Sequence, residues 1–252
     1  MTPPRPEGAP ELTAADVQAA LRAVASPADA IHLQRFFKTG PGEYGEGDVF
    51  IGVRVPAARG IAKRCAALSL DEIDVLLDSA VHEDRFAGLV ILNAAFARAS
   101  KPSTFDDAAR AELVDRYLAA VRRGRVNNWD LVDVSAENII GPWLLDKPRD
   151  LLFELAGADS LWERRVALLS TFAFIKSGDA TTTFELAERL LDDRRDLIQK
   201  ALGWMLREVG KRIDQRLLTG FLDKHAANLG RTALSYATEH LDPGLRAHYR
   251  AR

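Results

Sequence analysis

Apolar residues along this chain return at every third or fourth position, the spacing that gives a helix one buried face. The rhythm runs through AADVQAALRAVA, LDEIDVLLDSAV, HEDRFAGLVILNAAFARA and DAARAELVDRYLAAVRR. It resumes in LWERRVALLSTFAFI, TTFELAERLLDD, LIQKALGWMLREVGKR, QRLLTGFLDKHAANL and RTALSYATEHL. Strand alternation is nearly absent. The pattern therefore predicts an all-α chain of helices one to two dozen residues long, joined by short connectors carrying Gly, Pro, Ser or Asp. Thr13 is placed to cap the first run, and Ser69 with Glu72 three residues on resembles a capping box. Antiparallel pairs at a rhythm of roughly 40 residues would form a HEAT-like array with a continuous concave surface. On rhythm alone, an ordinary multi-helix globule fits nearly as well.

One segment breaks the pattern. FFKTGPGEYGEGDVFIGVRVP, residues 36–56, has four glycines between positions 40 and 47, so helix is excluded from its centre, while VFIGVRV could be briefly extended. It reads as a protruding loop or small hairpin. Its acids, Glu43, Glu46 and Asp48, make it a poor phosphate cradle, and the spacing is not that of a nucleotide-binding loop.

Length and composition narrow the picture. The chain has 252 residues, 47% of them hydrophobic, enough for a substantial core. The expected organisation is a disordered lead-in over residues 1–12, then one helical repeat domain over 13–252. The one cysteine, Cys65, has no partner, which fits a reducing compartment. No stretch approaches the ~20 apolar residues of a membrane span, and MTPPRPEGAPELT lacks the pattern of a secretion signal. A cytoplasmic protein is expected, with no membrane association and a monomer as the simplest state. Net charge is only −2, yet residues 194–252 hold twelve Lys and Arg against six Asp and Glu. Such a basic quarter could face phosphates, or could be a solvated helix face.

Several familiar chemistries are missing. The five histidines have no metal-ligand spacing, so no metal site is expected. Neither a serine nucleophile elbow nor a dinucleotide fingerprint is present. What remains is aromatic residues paired with charges on successive helices. In NNWDLVDVSAENIIGPWLL, Trp129 precedes Asp133 by four residues and shares its helix face. Trp162 with Arg165, and Trp204 with Arg207, repeat an aromatic and a charge three apart. Singly, each Trp is more often core and each Arg more often solvated. Together they could hold a cation, since indole faces attract positive charge and a carboxylate adds to that.

These segments resemble the AlkD-like DNA alkylation repair proteins. The matching stretches are NNWDLVD, LWERRVALL, IQKALGWMLREVGK and NLGRTALSYATEHL, with a weaker match at FIGVRVP, and the resemblance spans about residues 30–241. It implies a right-handed α-superhelix of HEAT-like antiparallel helix pairs, a solenoid whose concave face binds duplex DNA. It further implies a glycosylase releasing N-alkylated purines, notably 3-methyladenine and 7-methylguanine, without metal or other cofactor and without needing to flip the base. By that resemblance Asp133 is the catalytic carboxylate, and Trp129 and Trp204 pack on the sugar of the damaged nucleotide. Arg165 contacts the backbone near the lesion, and Arg207 and Arg231 are further DNA contacts. Two features depart from the family pattern: Asn128 stands where active members often carry a second aromatic, and the acidic loop at 40–48 is longer. Some relatives bind branched DNA without excising bases, so a non-catalytic HEAT-like binder of branched or damaged DNA is the alternative. A protein-interaction solenoid is a third.

Overall fold

Each run with helical spacing becomes a helix in the computed structural model, which describes residues 11–252. The expected lead-in therefore lies, up to residue 10, outside the described residues. Two compact units are distinguished, one ending at Phe105 and one comprising Asp106–Arg252. The first contains α1 (Ala14–Arg22), α2 (Pro27–Phe36), α3 (Val55–Arg64), α4 (Leu70–Leu77) and α5 (His82–Ala99). The second contains α6 (Asp107–Arg122), α7 (Trp129–Ser135), α8 (Ile140–Trp143), α9 (Asp150–Gly157) and α10 (Leu161–Lys176). It continues with α11 (Thr181–Arg189), α12 (Asp196–Arg212), α13 (Gln215–His225), α14 (Arg231–Ala237) and α15 (Pro243–Arg250). No strand occurs among the described residues. Many helices are shorter than the sequence suggests, because turns interrupt runs such as RTALSYATEHL after Ala237.

In the first unit α5 is the central element, packed by α1, α3 and α4, and most of its length is buried. Thr13 caps α1 in a full box with Asp16. The Ser69 box is only half formed. Ser69 accepts the Glu72 N–H, but the Glu72 carboxylate crosses to the Ala14 N–H at 2.6 Å. The start of α1 exposes an unsatisfied donor, and a charged acceptor on a neighbouring helix fills it.

The loop at 40–48 is ordered by its own acids. Glu43 and Glu46 accept the N–H groups of Gly40 and Gly42, each at 2.9 Å, while Asp48 is buried against His82 and Arg85. Just beyond, the Glu83 carboxylate accepts from Ile51, Gly52 and Val53. The expected extended segment reduces to a single bridge between Val49 and Val81. Gly52 has φ +84°, and a Cβ there would lie 2.0 Å from the Ser26 carbonyl oxygen, so only glycine lets the loop pass α2.

In the second unit α10 packs between α9 and α12, and α12 packs on α13 and α14. From Arg165 to Ile175 every residue of α10 is buried, as expected of a helix covered on all sides. At Gly203 a Cβ would lie 2.3 Å from the Ala233 carbonyl oxygen, so glycine is what allows α12 and α14 to approach. Several cross-helix contacts join residues 32 positions apart: Arg110 bonds the Pro142 carbonyl, Arg122 pairs with Glu154, Arg165 with Asp133 and Leu197, and Arg207 with Glu239. The helices α10, α12 and α14 begin at Leu161, Asp196 and Arg231, 35 residues apart, against the roughly 40 read from helix rhythm. Since both Arg165–Leu197 and Phe172–Trp204 contacts keep the 32-residue offset, α10 and α12 run in the same sense, as repeated elements of a stack do.

Candidate active site

The site grows from the short helix α7. Its N-cap is Asn128, fully buried, whose side-chain oxygen accepts the Trp129 N–H at 2.9 Å. An aromatic residue here could not make that bond, which explains Asn128 locally. Trp129, half-buried, opens the helix, and Asp133 follows one turn later on the same face. Beneath it, Ser135 and the fully buried Tyr117 lie with their hydroxyls 3.0 Å apart.

Asp133 meets Arg165 of α10 in a forked pair. Arg165 Nε donates to Oδ1 at 3.0 Å, and Nη2 lies 2.8 and 2.9 Å from Oδ1 and Oδ2. Its remaining terminal nitrogen, Nη1, donates to the Leu197 carbonyl at 2.6 Å. The Arg165 side chain is 5% exposed and that of Asp133 is 21% exposed. The carboxylate therefore keeps an open side that the guanidinium does not.

Burial pushes the Asp133 carboxyl up from its ordinary 3.8 to about 6. The Arg165 charge and hydrogen bonds oppose that shift, and the nearby Asp130 adds to it. At neutral pH the group is a carboxylate in a poorly solvated place, where its pull on a nearby cation is stronger than in water. Burial also raises the Tyr117 hydroxyl well above its usual range, with Ser135 opposing and the Asp133 charge adding. Tyr117 is therefore a neutral neighbour.

Trp204 sits on α12, two turns after the Leu197 carbonyl that Arg165 grips. Its ring lies 6.1 Å from that of Phe172, tilted by 57°. Phe172 in turn has Lys176 Nζ at 4.6 Å and the Arg212 guanidinium at 4.9 Å. Lys176 is paired with Glu137, one turn beyond Asp133, and Arg212 with Glu208. One seam of aromatic and charged side chains thus runs over α7, α10 and α12.

The other expected residues are placed differently. Arg207 pairs with Glu208 and with Glu239 just beyond α14, and Arg231 donates to the Arg250 carbonyl at the end of α15. Neither touches the Asp133 pair. Trp162 lies in the first turn of α10, partly buried. Seven of the twelve cations in residues 194–252 have an acid within 4 Å, so the basic C-terminal quarter is less charged outward than its composition suggests. An open depression of about 540 Å³ beside α15, lined by Arg246 and Arg250 among others, includes none of the expected site residues.

Sequence reasoning missed the pairing of Arg165 with Asp133, the Leu197 carbonyl, and the support from Phe172, Tyr117 and Ser135. One signal was available. Positions 133, 165 and 197 are evenly spaced, 32 residues apart, and lie on α7, α10 and α12, which pack together.

Comparison with known proteins agrees with this architecture. A solved structure described as a predicted DNA alkylation repair enzyme from Enterococcus faecalis superposes with a TM-score of 0.66 at 20% identity, covering 87% of this chain and 97% of that one. That likeness concerns the fold. No curated protein matches in sequence. The sequence profile of the DNA alkylation repair enzymes matches residues 17–241, nearly the whole length, and the chain belongs to that family.

Proposed function

We propose that the protein is a DNA glycosylase that hydrolyses the N-glycosidic bond of N-alkylated purines, such as 3-methyladenine and 7-methylguanine, in duplex DNA. The observation that carries this reading is Asp133, a mostly buried carboxylate with a free side, held on the same helix face as Trp129. An alkylated purine is already cationic. When its glycosidic bond breaks, the bonding electrons leave with the base, which departs neutral and needs no strong acid. The sugar is left as an oxocarbenium ion. Asp133 stabilises that charge and accepts the proton of the water that adds to the anomeric carbon, giving an abasic site. Trp129 and Trp204 supply π faces for the sugar.

A carboxylate about 4 Å from the developing charge, at an effective dielectric of about 20, contributes about 4 kcal/mol. If expressed only in the transition state, that is roughly a thousandfold in rate. DNA affinity would come from cations such as Arg207 and Arg231 exchanging their internal partners for phosphates, and would fall as salt rises. The test is single-turnover release of methylated purines from treated duplex DNA, followed by alkaline cleavage at abasic sites. Wild type excises and Asp133→Asn loses roughly a thousandfold at unchanged DNA affinity. Salt-sensitive binding without abasic product in the wild type would replace this reading with that of a non-catalytic binder of branched or damaged DNA.

A further inference from the structure

We infer that the open depression beside α15 is a binding site for a phosphate group, held by Arg246 and Arg250 and separate from the seam of Trp129, Asp133 and Trp204. This goes beyond the glycosylase reading and does not depend on it.

Three observations carry the inference. Of the twelve cations in residues 194–252, Lys211, Lys224, Arg231, Arg246 and Arg250 have no acid within 4 Å among the described residues. Three of them gather at one place: Arg246 and Arg250 line the depression of about 540 Å³, and Arg231 donates to the Arg250 carbonyl at 2.7 Å. Second, the lining is one helix face. Pro243, Arg246, Ala247, Arg250 and Ala251 follow one another at steps of three, one, three and one along α15 and its C-cap, the spacing of a single stripe, and Leu241 from the preceding connector completes it. Third, the guanidinium groups keep donors to spare. Arg250 gives Nη2 to Ser235 Oγ of α14 at 2.8 Å, one of the five N–H donors that an arginine owns. Arg246 has its Nε buried without a hydrogen-bond partner.

Two arginines without acids suit an anion with several oxygens. Guanidinium groups grip phosphate bidentately through short, charge-assisted bonds, and residues four apart on a helix have Cβ atoms about 6 Å apart, close enough for two long side chains to share one phosphate. The acid beside the depression in sequence, Asp242, is engaged as the N-cap of α15, where it accepts the Leu245 N–H at 3.0 Å. Arg231 adds a third positive charge at the far end of the helix. The apolar share of the lining, Leu241, Pro243, Ala247 and Ala251, offers a surface to the sugar or base that carries the phosphate, and the volume lies within the range of small-molecule sites. Phosphate is the shared chemistry of two sources, a DNA strand passing α15 and a free nucleotide.

The experiment uses the full chain, with Arg246→Gln and Arg250→Gln singly and together. The methyl resonances of Ala247 and Ala251 are followed by NMR at constant ionic strength while inorganic phosphate, deoxyadenosine 5′-monophosphate or undamaged duplex is added, with chloride and deoxyadenosine as controls. In the wild type phosphate is expected to move both methyls along a saturating curve and the controls are not. Each glutamine should weaken phosphate binding by about tenfold. If the source is a DNA strand, the double variant lowers the salt slope of duplex affinity by about two. If it is a free nucleotide, the monophosphate binds tighter than inorganic phosphate and the slope stays in place. The inference is overturned if phosphate gives no saturating shift in the wild type, if the double variant binds phosphate as well as the wild type, or if neither the monophosphate nor the duplex moves Ala247 and Ala251. The wild-type titrations decide the matter even if the double variant does not fold. Base release is read separately: a wild type that excises nothing would sink the glycosylase reading and leave the phosphate titrations unaffected.

Discussion

Two buried carboxylates, Asp48 in the first unit and Asp133 in the second, are each held by an arginine. Asp48 is closed on all sides: it takes Arg85 Nη2 at 2.5 Å and His82 Nδ1 at 3.0 Å, with its own and the Arg85 side chain each 3% exposed. His82 is further stacked on Phe50 at 4.3 Å between ring centroids. Asp133 has the same kind of partner but keeps 21% of its side chain open. Two carboxylates gripped by arginine are thus alike in chemistry and opposite in use. One anchors the glycine-rich loop to α5, and the other leaves acceptor capacity facing outward. What marks a carboxylate as available for chemistry is the unfilled side, not the presence of a charged partner.

Replacing each acid should separate the two roles. Asp133→Asn is expected to lose roughly a thousandfold in excision, about 4 kcal/mol in the barrier, when assayed well below the unfolding temperature. Asp48→Ala should instead cost about 3 kcal/mol of stability, because Arg85 is left as an uncompensated buried charge. Urea unfolding followed by circular dichroism measures that loss. Excision per folded molecule should stay at the wild-type level, and a collapse of activity in folded Asp48→Ala would erase the distinction between the two sites.

The open carboxylate also leaves a signature in stability. Its carboxyl ionises near 3.8 when unfolded and near 6 in the native state, so between those values the native state holds the proton more tightly. This group therefore adds stability as pH falls from about 6 towards 4, and its charged form opposes folding above pH 6. The full swing is at most about 3 kcal/mol. The difference in urea-unfolding free energy between wild type and Asp133→Asn should change in that direction between pH 7.5 and pH 4.5. A flat difference would mean that Asp133 is far better solvated than its neighbours suggest. The smallest effect belongs to Glu72, which caps a helix other than its own: Glu72→Ala should cost about 1 kcal/mol, read as a modest fall in unfolding midpoint.

The helices were legible because burial of one face imposes a period of 3.6, and that period survives any exchange among Leu, Val, Ile and Ala. Thr13 was legible for the same local reason, since a cap and its N–H lie within three residues. Glu72 was not, because the donor it satisfies belongs to Ala14, 58 positions away. The even 32-residue spacing of Asp133, Arg165 and Leu197 was there to be read, but the three residue types differ and nothing local marks them as partners.

Trp129 and Asp133 could be placed on one face from their spacing, and the resemblance could name the residues worth watching. Whether Arg165 points to solvent or back to Asp133 could not be read from spacing, since an arginine three residues from a tryptophan suits either. Likewise, Glu43 and Glu46 of the loop at 40–48 look free in a linear reading and are spent on their own backbone in the fold. By itself, then, the sequence determined the helical class, the existence of the longer helices and the face shared by Trp129 and Asp133, all of which follow from interactions within one or two turns. Only the tertiary structure decided which charges pair, which carboxylate stays open and how far its ionisation shifts, because burial and Coulomb energy depend on distances set by residues dozens of positions apart.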